Sequence, residues 1–140
     1  MVLKGLEYDP KILIAWSEAI GGNTKMRDWL TKNGFPELGI FCFALRNKED
    51  ARVWLMQNGF QHFFALINGV EGNKNALMWL KVHKYPVLLK MAMAGDGDQA
   101  SFNWLMSKDL KVLAMIAKRI EFIKDQIEED NNDPHKISFE

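Results

Sequence analysis

Apolar side chains recur along this chain at steps of three and four residues, which is the spacing of one face of an α-helix. One clear stretch has Ala51, Trp54 and Leu55 on such a face, and a second face through Phe63 follows the glycine at Gly59. Neither flank of that glycine alternates as the strands of a β-hairpin do. The pattern therefore predicts a helix, a glycine-terminated turn and a second helix.

The same pattern returns every 25 residues. Four tryptophans stand at this spacing, each followed by leucine: Trp29-Leu30, Trp54-Leu55, Trp79-Leu80 and Trp104-Leu105. Mostly small residues precede each tryptophan by three positions: Met26, Ala51, Ala76 and Ser101. Several positions agree when the 25-residue segments are aligned. We therefore predict four tandem helix-turn-helix repeats, at residues 22–46, 47–71, 72–96 and 97–121.

The two ends of the chain depart from the repeat. Residues from Asp9 to Ile20 match only the second helix of a unit, which predicts an N-terminal half-repeat. Apolar residues from Leu113 to Ile127 step by three and four, which predicts one long C-terminal capping helix. The predicted fold is all-α, an α-α superhelix forming a single domain over residues 1–130, with a polar tail at 131–140.

The segment from Asp50 to Gly59 resembles the second helix and following turn of an ankyrin repeat. Ankyrin units are longer, ~33 residues, and the spacing seen here leaves no room for their projecting hairpin. Over residues 22–121 the chain is therefore similar to short α-α solenoids as a class. That resemblance implies binding of a protein partner.

Composition excludes several classes of function. Eighteen basic and eighteen acidic residues cancel, so the chain lacks the positive excess that a nucleic-acid binder needs. We find no apolar run approaching the ~20 residues of a membrane span, and no secretion signal at the start. The single Cys42 stands in an apolar run and is expected to be a buried thiol in a reducing, cytoplasmic setting.

Residues that could carry chemistry are scattered. His62 and His83 fall at different repeat positions, and the pair Asp96 and Asp98 lacks the further ligands of a calcium loop. No phosphate-binding glycine loop or serine-nucleophile motif is present. We therefore predict no metal, no cofactor and no enzymatic activity.

The tryptophan column has two readings. The four rings could form a stacking platform for a ligand, or they could pack in the seam between repeats, where a large ring buries much area. The second reading is favoured because a mostly small residue precedes each tryptophan and a leucine adjoins it.

A better candidate for a binding face is the set of positions two residues before and two residues after each tryptophan. The candidate partner face comprises Arg27, Arg52, Met56, Leu77, Lys81, Phe102 and Met106. Its alternative is that the long C-terminal helix covers these side chains. If they are exposed, they mark a contact surface with a basic end and an apolar end.

The sequence thus predicts a non-enzymatic helical-repeat scaffold for protein–protein interaction. One alternative is a small-molecule-binding or regulatory subunit that uses a pocket between second helices. The side chains that would line that pocket are Phe41, Phe43, Phe63, Phe64, Met91 and Met93. Another alternative is a homodimer that associates through Phe102 and Met106.

Overall fold

The computed structural model describes residues 3–132, so most of the predicted polar tail lies outside the described residues. Nine helices occupy this part of the chain, and the all-α prediction is confirmed. The helices are α1 (Pro10–Ile20), α2 (Thr24–Lys32), α3 (Pro36–Leu45), α4 (Glu49–Gln57), α5 (Gln61–Val70), α6 (Lys74–Val82), α7 (Pro86–Gly95), α8 (Gln99–Ser107) and α9 (Lys111–Asn131).

Local sequence explains where the helices begin. The side chain of Asp9 accepts a hydrogen bond from the Lys11 backbone N–H at 2.8 Å, and Asn23 and Asn73 cap α2 and α6 in the same way. Proline occupies the first position of α1, α3 and α7, where its missing N–H costs nothing. The starts of these helices are therefore encoded in the few residues around them.

Each unit reverses direction through two residues in the left-handed region of backbone conformation. Between the two helices of a unit these residues are Gly34, Gly59, Lys84 and Asp109, with φ of 96°, 87°, 63° and 61°. In the loop before each unit's first helix they are Gly22, Asn47, Gly72 and Gly97. Glycine adopts this conformation without strain, whereas lysine and aspartate do so at a cost.

The helices form two layers. The inner layer comprises α1, α3, α5, α7 and α9, each of which buries six or seven residues. The outer layer comprises α2, α4, α6 and α8, each of which buries one or two. The leucine that follows each tryptophan is fully buried at 0% exposure and anchors its outer helix to the inner layer.

The inner helices contact one another in a closed circuit. Helix α1 packs against both α3 and α9. In chain order, α3 then packs against α5, α5 against α7, and α7 against α9. Trp16, Phe41 and Phe63 meet inside this circuit, with ring centroids 5.0 to 5.9 Å apart. All three side chains are fully buried, so aromatic packing joins the first three inner helices.

The two ends of the described chain lie across opposite ends of the inner helices. Residues 3–9 form a strap, in which Lys4 Nζ donates to the His83 carbonyl at 2.6 Å and Tyr8 Oη donates to Glu37 at 2.7 Å. At the other end, α9 extends well beyond the length of α7, and Lys124 on this extension pairs with Glu71 at 3.4 Å. Local patterning predicted the long helix but not the strap.

Candidate functional site

The four tryptophans that recur every 25 residues lie at the edge of the core rather than inside it. Trp29 is 45% exposed and lines a groove of about 470 Å³ between α1 and α2, together with Ala15. Trp54 lines the equivalent groove of the next unit, about 500 Å³, together with Ile40. The rings therefore occupy the seam between repeats, but the adjacent leucines take the buried positions because each outer helix presents only a narrow stripe inward.

Two of the tryptophans brace the turn of their own unit. Trp54 stacks on Phe60 at 5.9 Å between centroids, and Trp79 stacks on Tyr85 at 5.7 Å. Both partners are the aromatic residue that follows the left-handed turn position. Stacked rings of this kind add to the stability of the turn beyond simple burial.

The residues of the predicted partner face that precede the tryptophans are tied to the inner layer. Arg52 donates to the Ala44 carbonyl at 3.0 Å and to Glu71 at 2.8 Å, so it caps the end of α3. The Arg27 guanidinium lies 4.4 Å above the Phe43 ring, and Phe102 lies under Lys118. Leu77 is half-buried against α5. These four side chains are only partly accessible.

The residues of that face that follow the tryptophans are exposed. Met56 and Met106 are 46% and 39% exposed, and Lys81 is exposed on α6. The predicted face is thus divided, with one column packed against the inner helices and the other facing outward.

Three further apolar side chains on the outer helices were not predicted. Val53, Met78 and Val82 are 39%, 56% and 63% exposed, and they share the outward side of α4 and α6 with Met56. We call these four residues the outer-face patch. Equivalent positions in the first and fourth units carry Asp28, Thr31, Lys32, Asn103, Met106 and Ser107. Apolar character outside is therefore concentrated on the two middle units.

The six side chains predicted to line a pocket between second helices lie at different depths, and Phe64 and Met93 are half-buried. Phe41, Phe63 and Met91 are fully buried, and the Trp16 ring packs against both phenylalanines, which also contact each other. Phe43 is 39% exposed on the other side of α3. These phenylalanines therefore do not converge on one cavity.

Burial, and not a neighbouring catalytic group, is the main cause of the shifted pKa values of Cys42 and His62 in the inner layer. Burial raises the pKa of the Cys42 thiol to about 12, which suppresses the nucleophilic thiolate. Burial also lowers the pKa of His62, which lies beneath the strap. Across residues 3–132, no three histidine, cysteine, aspartate or glutamate side chains converge as metal ligands.

Within the described part of the chain, every helix is too short or too polar to cross a bilayer. Comparison with protein-family models, with curated proteins and with solved structures finds no match to this chain.

Proposed function

We propose that this chain is a non-enzymatic interaction module that presents the outer-face patch to a protein partner. The observation that carries the proposal is the exposure of Val53, Met56, Met78 and Val82 on α4 and α6. Grouped apolar side chains on an outward surface are typical of contact sites between proteins. Exposed methionines suit this role because their flexible side chains adapt to a partner's shape.

The finer architecture that we propose is a short array of repeat units. The helix bounds recur every 25 residues, which supports four copies of one helix pair. The contact between α1 and α9 favours a closed array, in which the two ends meet, rather than an open superhelix. In such an array, the outer helices are free to differ in their outward residues while the inner helices keep the fold.

A matched pair of double variants tests the function. Met56→Glu with Met78→Glu places carboxylates in the outer-face patch. The control, Lys32→Glu with Asn103→Glu, places them at exposed positions of the first and fourth units that are equivalent to Val82 and Met78. After crosslinking in cells, we expect a partner to be recovered equally with wild type and control. Recovery should fall at least about tenfold with the patch variant, since interface centres dominate binding energy.

The outcome that contradicts the proposal is an identical set of recovered proteins for both double variants. Sedimentation of the purified chain addresses the homodimer alternative. If wild type sediments as a dimer and Phe102→Asp converts it to a monomer, self-association replaces the proposed role of the outer-face patch.

A further inference from the structure

Four neighbouring pairs of inner helices are each covered by one outer helix. Helix α2 packs on α1 and α3, α4 on α3 and α5, α6 on α5 and α7, and α8 on α7 and α9. Helices α9 and α1 also pack together, yet no helix of residues 3–132 spans them as α2 spans α1 and α3. We call the surface between α9 and α1 the open seam.

Ile14 marks the α1 side of the open seam. Its equivalents in the other inner helices are Gly39, Phe64, Leu89 and Ala114, all buried or half-buried. Gly39 shows what this position faces, because a Cβ there would collide with the Thr31 side chain of the unit's own outer helix. Ile14 is 49% exposed, because no outer helix precedes α1 among residues 3–132.

Met115 marks the α9 side. Its equivalents are Ala15, Ile40, Ala65 and Lys90, which are again buried or half-buried. This position faces the following outer helix, as Ala15 lines a groove with Trp29 and the Lys90 ammonium lies 5.7 Å from the Trp104 ring. Met115 is 49% exposed because no outer helix follows α9 in the described chain.

The rim of the open seam is basic. Lys11 and Lys111 are exposed one turn before Ile14 and Met115, and Lys11 also lines the groove beside Trp29. Lys118, which lies over the Phe102 ring, and Arg119 follow on the next turns of α9. Two carboxylates oppose these four basic side chains: Glu18 lies 3.5 Å from the Arg119 guanidinium, and Glu121 lies 3.4 Å from the Lys118 ammonium. The rim therefore keeps an excess of positive charge, carried by Lys11 and Lys111. A cavity of about 500 Å³ at the end of the seam is lined by Arg46, Lys118, Arg119 and the exposed Phe122, among others.

We infer that the open seam is a docking site for an acidic amphipathic helix of a partner protein, seated as the chain's own outer helices are seated. The apolar stripe of that helix would cover Ile14 and Met115, and its carboxylates would meet the lysines at the rim. The inference rests on the proposed function, because it specifies a partner class for a chain that binds proteins. It assigns that partner to a surface distinct from the outer-face patch.

The chain supplies a template for the probe. A fluorescent peptide of residues 47–60 carries the outer-helix pattern of Ala51, Trp54 and Leu55, and Lys48→Glu with Arg52→Glu makes it acidic. The control peptides carry Leu55→Asp, or lysine in place of its acidic residues. We expect the acidic peptide to bind the full-length protein with a dissociation constant of roughly 1–100 μM by anisotropy, and the controls at least about tenfold more weakly.

Protein variants locate the peptide. Ile14→Asp and Met115→Asp should each weaken binding at least about tenfold, because each places a carboxylate under the helix's apolar stripe. Met106→Asp, on the neighbouring outer helix, is the matched control and should leave binding unchanged. Lys11→Glu with Lys111→Glu should weaken the acidic peptide and strengthen the basic one. Circular dichroism confirms that each variant is folded.

Other outcomes overturn the inference in distinguishable ways. If the peptide does not bind, or binds equally to Ile14→Asp, the open seam is not a helix site, while the cell experiment still tests the outer-face patch. Loss of binding in Met56→Glu with Met78→Glu would move the peptide to that patch and support the proposed function alone. A wild-type dimer that Ile14→Asp converts to a monomer would assign the seam to a second copy.

Discussion

Apart from the long α9, the inner and outer helices of this protein have similar lengths, yet they bury very different numbers of residues. Helix α3 buries seven residues, whereas the outer helix α4 of the next unit buries only Ala51 and Leu55. An inner helix is enclosed by neighbours on most sides, and an outer helix touches the protein through one stripe. Outward positions of the outer layer can therefore vary at little cost to folding, which suits them to recognition.

Two tryptophans give the largest contrast between the layers. Trp16 is fully buried in the inner circuit and Trp29 is 45% exposed on α2. We expect Trp16→Ala to lower the free energy of unfolding by about 3–5 kcal/mol and Trp29→Ala by about 1 kcal/mol. Urea titration followed by circular dichroism measures both. Equal losses would show that the tryptophan column carries as much of the core as the inner layer.

The buried Trp16 indole N–H has no hydrogen-bond partner among the described residues, which gives a variant that refines this contrast. Trp16→Phe removes the unpaired donor but leaves a smaller ring. Removing the unpaired N–H offsets part of the cost of the cavity. Trp16→Phe should therefore lower the free energy of unfolding by much less than Trp16→Ala does.

The same contrast between buried and exposed side chains occurs within one outer helix, α4. Leu55 is 0% exposed and its neighbour Met56 is 46% exposed. Leu55→Ala should cost about 2–4 kcal/mol of unfolding free energy, and Met56→Ala should stay within about 0.5 kcal/mol. The same titrations supply the measurement. A small loss for Leu55→Ala would mean that α4 is not anchored by its leucine.

Substitutions in the turns between the layers should change the stability by smaller amounts, and in opposite directions at two equivalent positions. Gly59 and Lys84 hold equivalent positions, with φ of 87° and 63°. A Cβ at Gly59 meets nothing within 4 Å, so Gly59→Ala should cost about 1 kcal/mol through backbone strain alone. Lys84→Gly should relieve such strain and stabilise by up to about 1 kcal/mol. Thermal melts of both variants check the opposite signs.

The smallest expected effect concerns His62 of the inner layer. Burial lowers its pKa in the folded protein, so the unfolded chain binds the proton more readily. The stability that His62 contributes is complete above its ordinary pKa of about 6.5 and is lost as the pH falls below that value. Between about pH 7.5 and 5.5, wild type should lose more stability than His62→Asn in urea titrations. Parallel losses would exclude this histidine as the cause.

Sequence periodicity predicted the all-helical fold because the residues of each helix pair lie within 25 residues of sequence. It did not separate Trp54 from Leu55, since adjacent positions on a helix differ by only ~100° and both residues are apolar. The outward position of Met78 and Val82 was missed for a similar reason, because apolar identity by itself indicates burial. The strap at Lys4 and the contact of α1 with α9 join residues far apart in the chain, where no local pattern applies.

The contact between α1 and α9 has a consequence for how this protein could evolve. Linear repeat proteins lengthen by duplication, because an inserted copy only needs to match its two neighbours. Here an extra unit would separate the first inner helix from the last, breaking the hydrogen bond from Arg119 to the Ser17 carbonyl at 2.7 Å. In the closed array that we propose, we therefore expect new specificity to arise by substitution within existing units rather than by duplication.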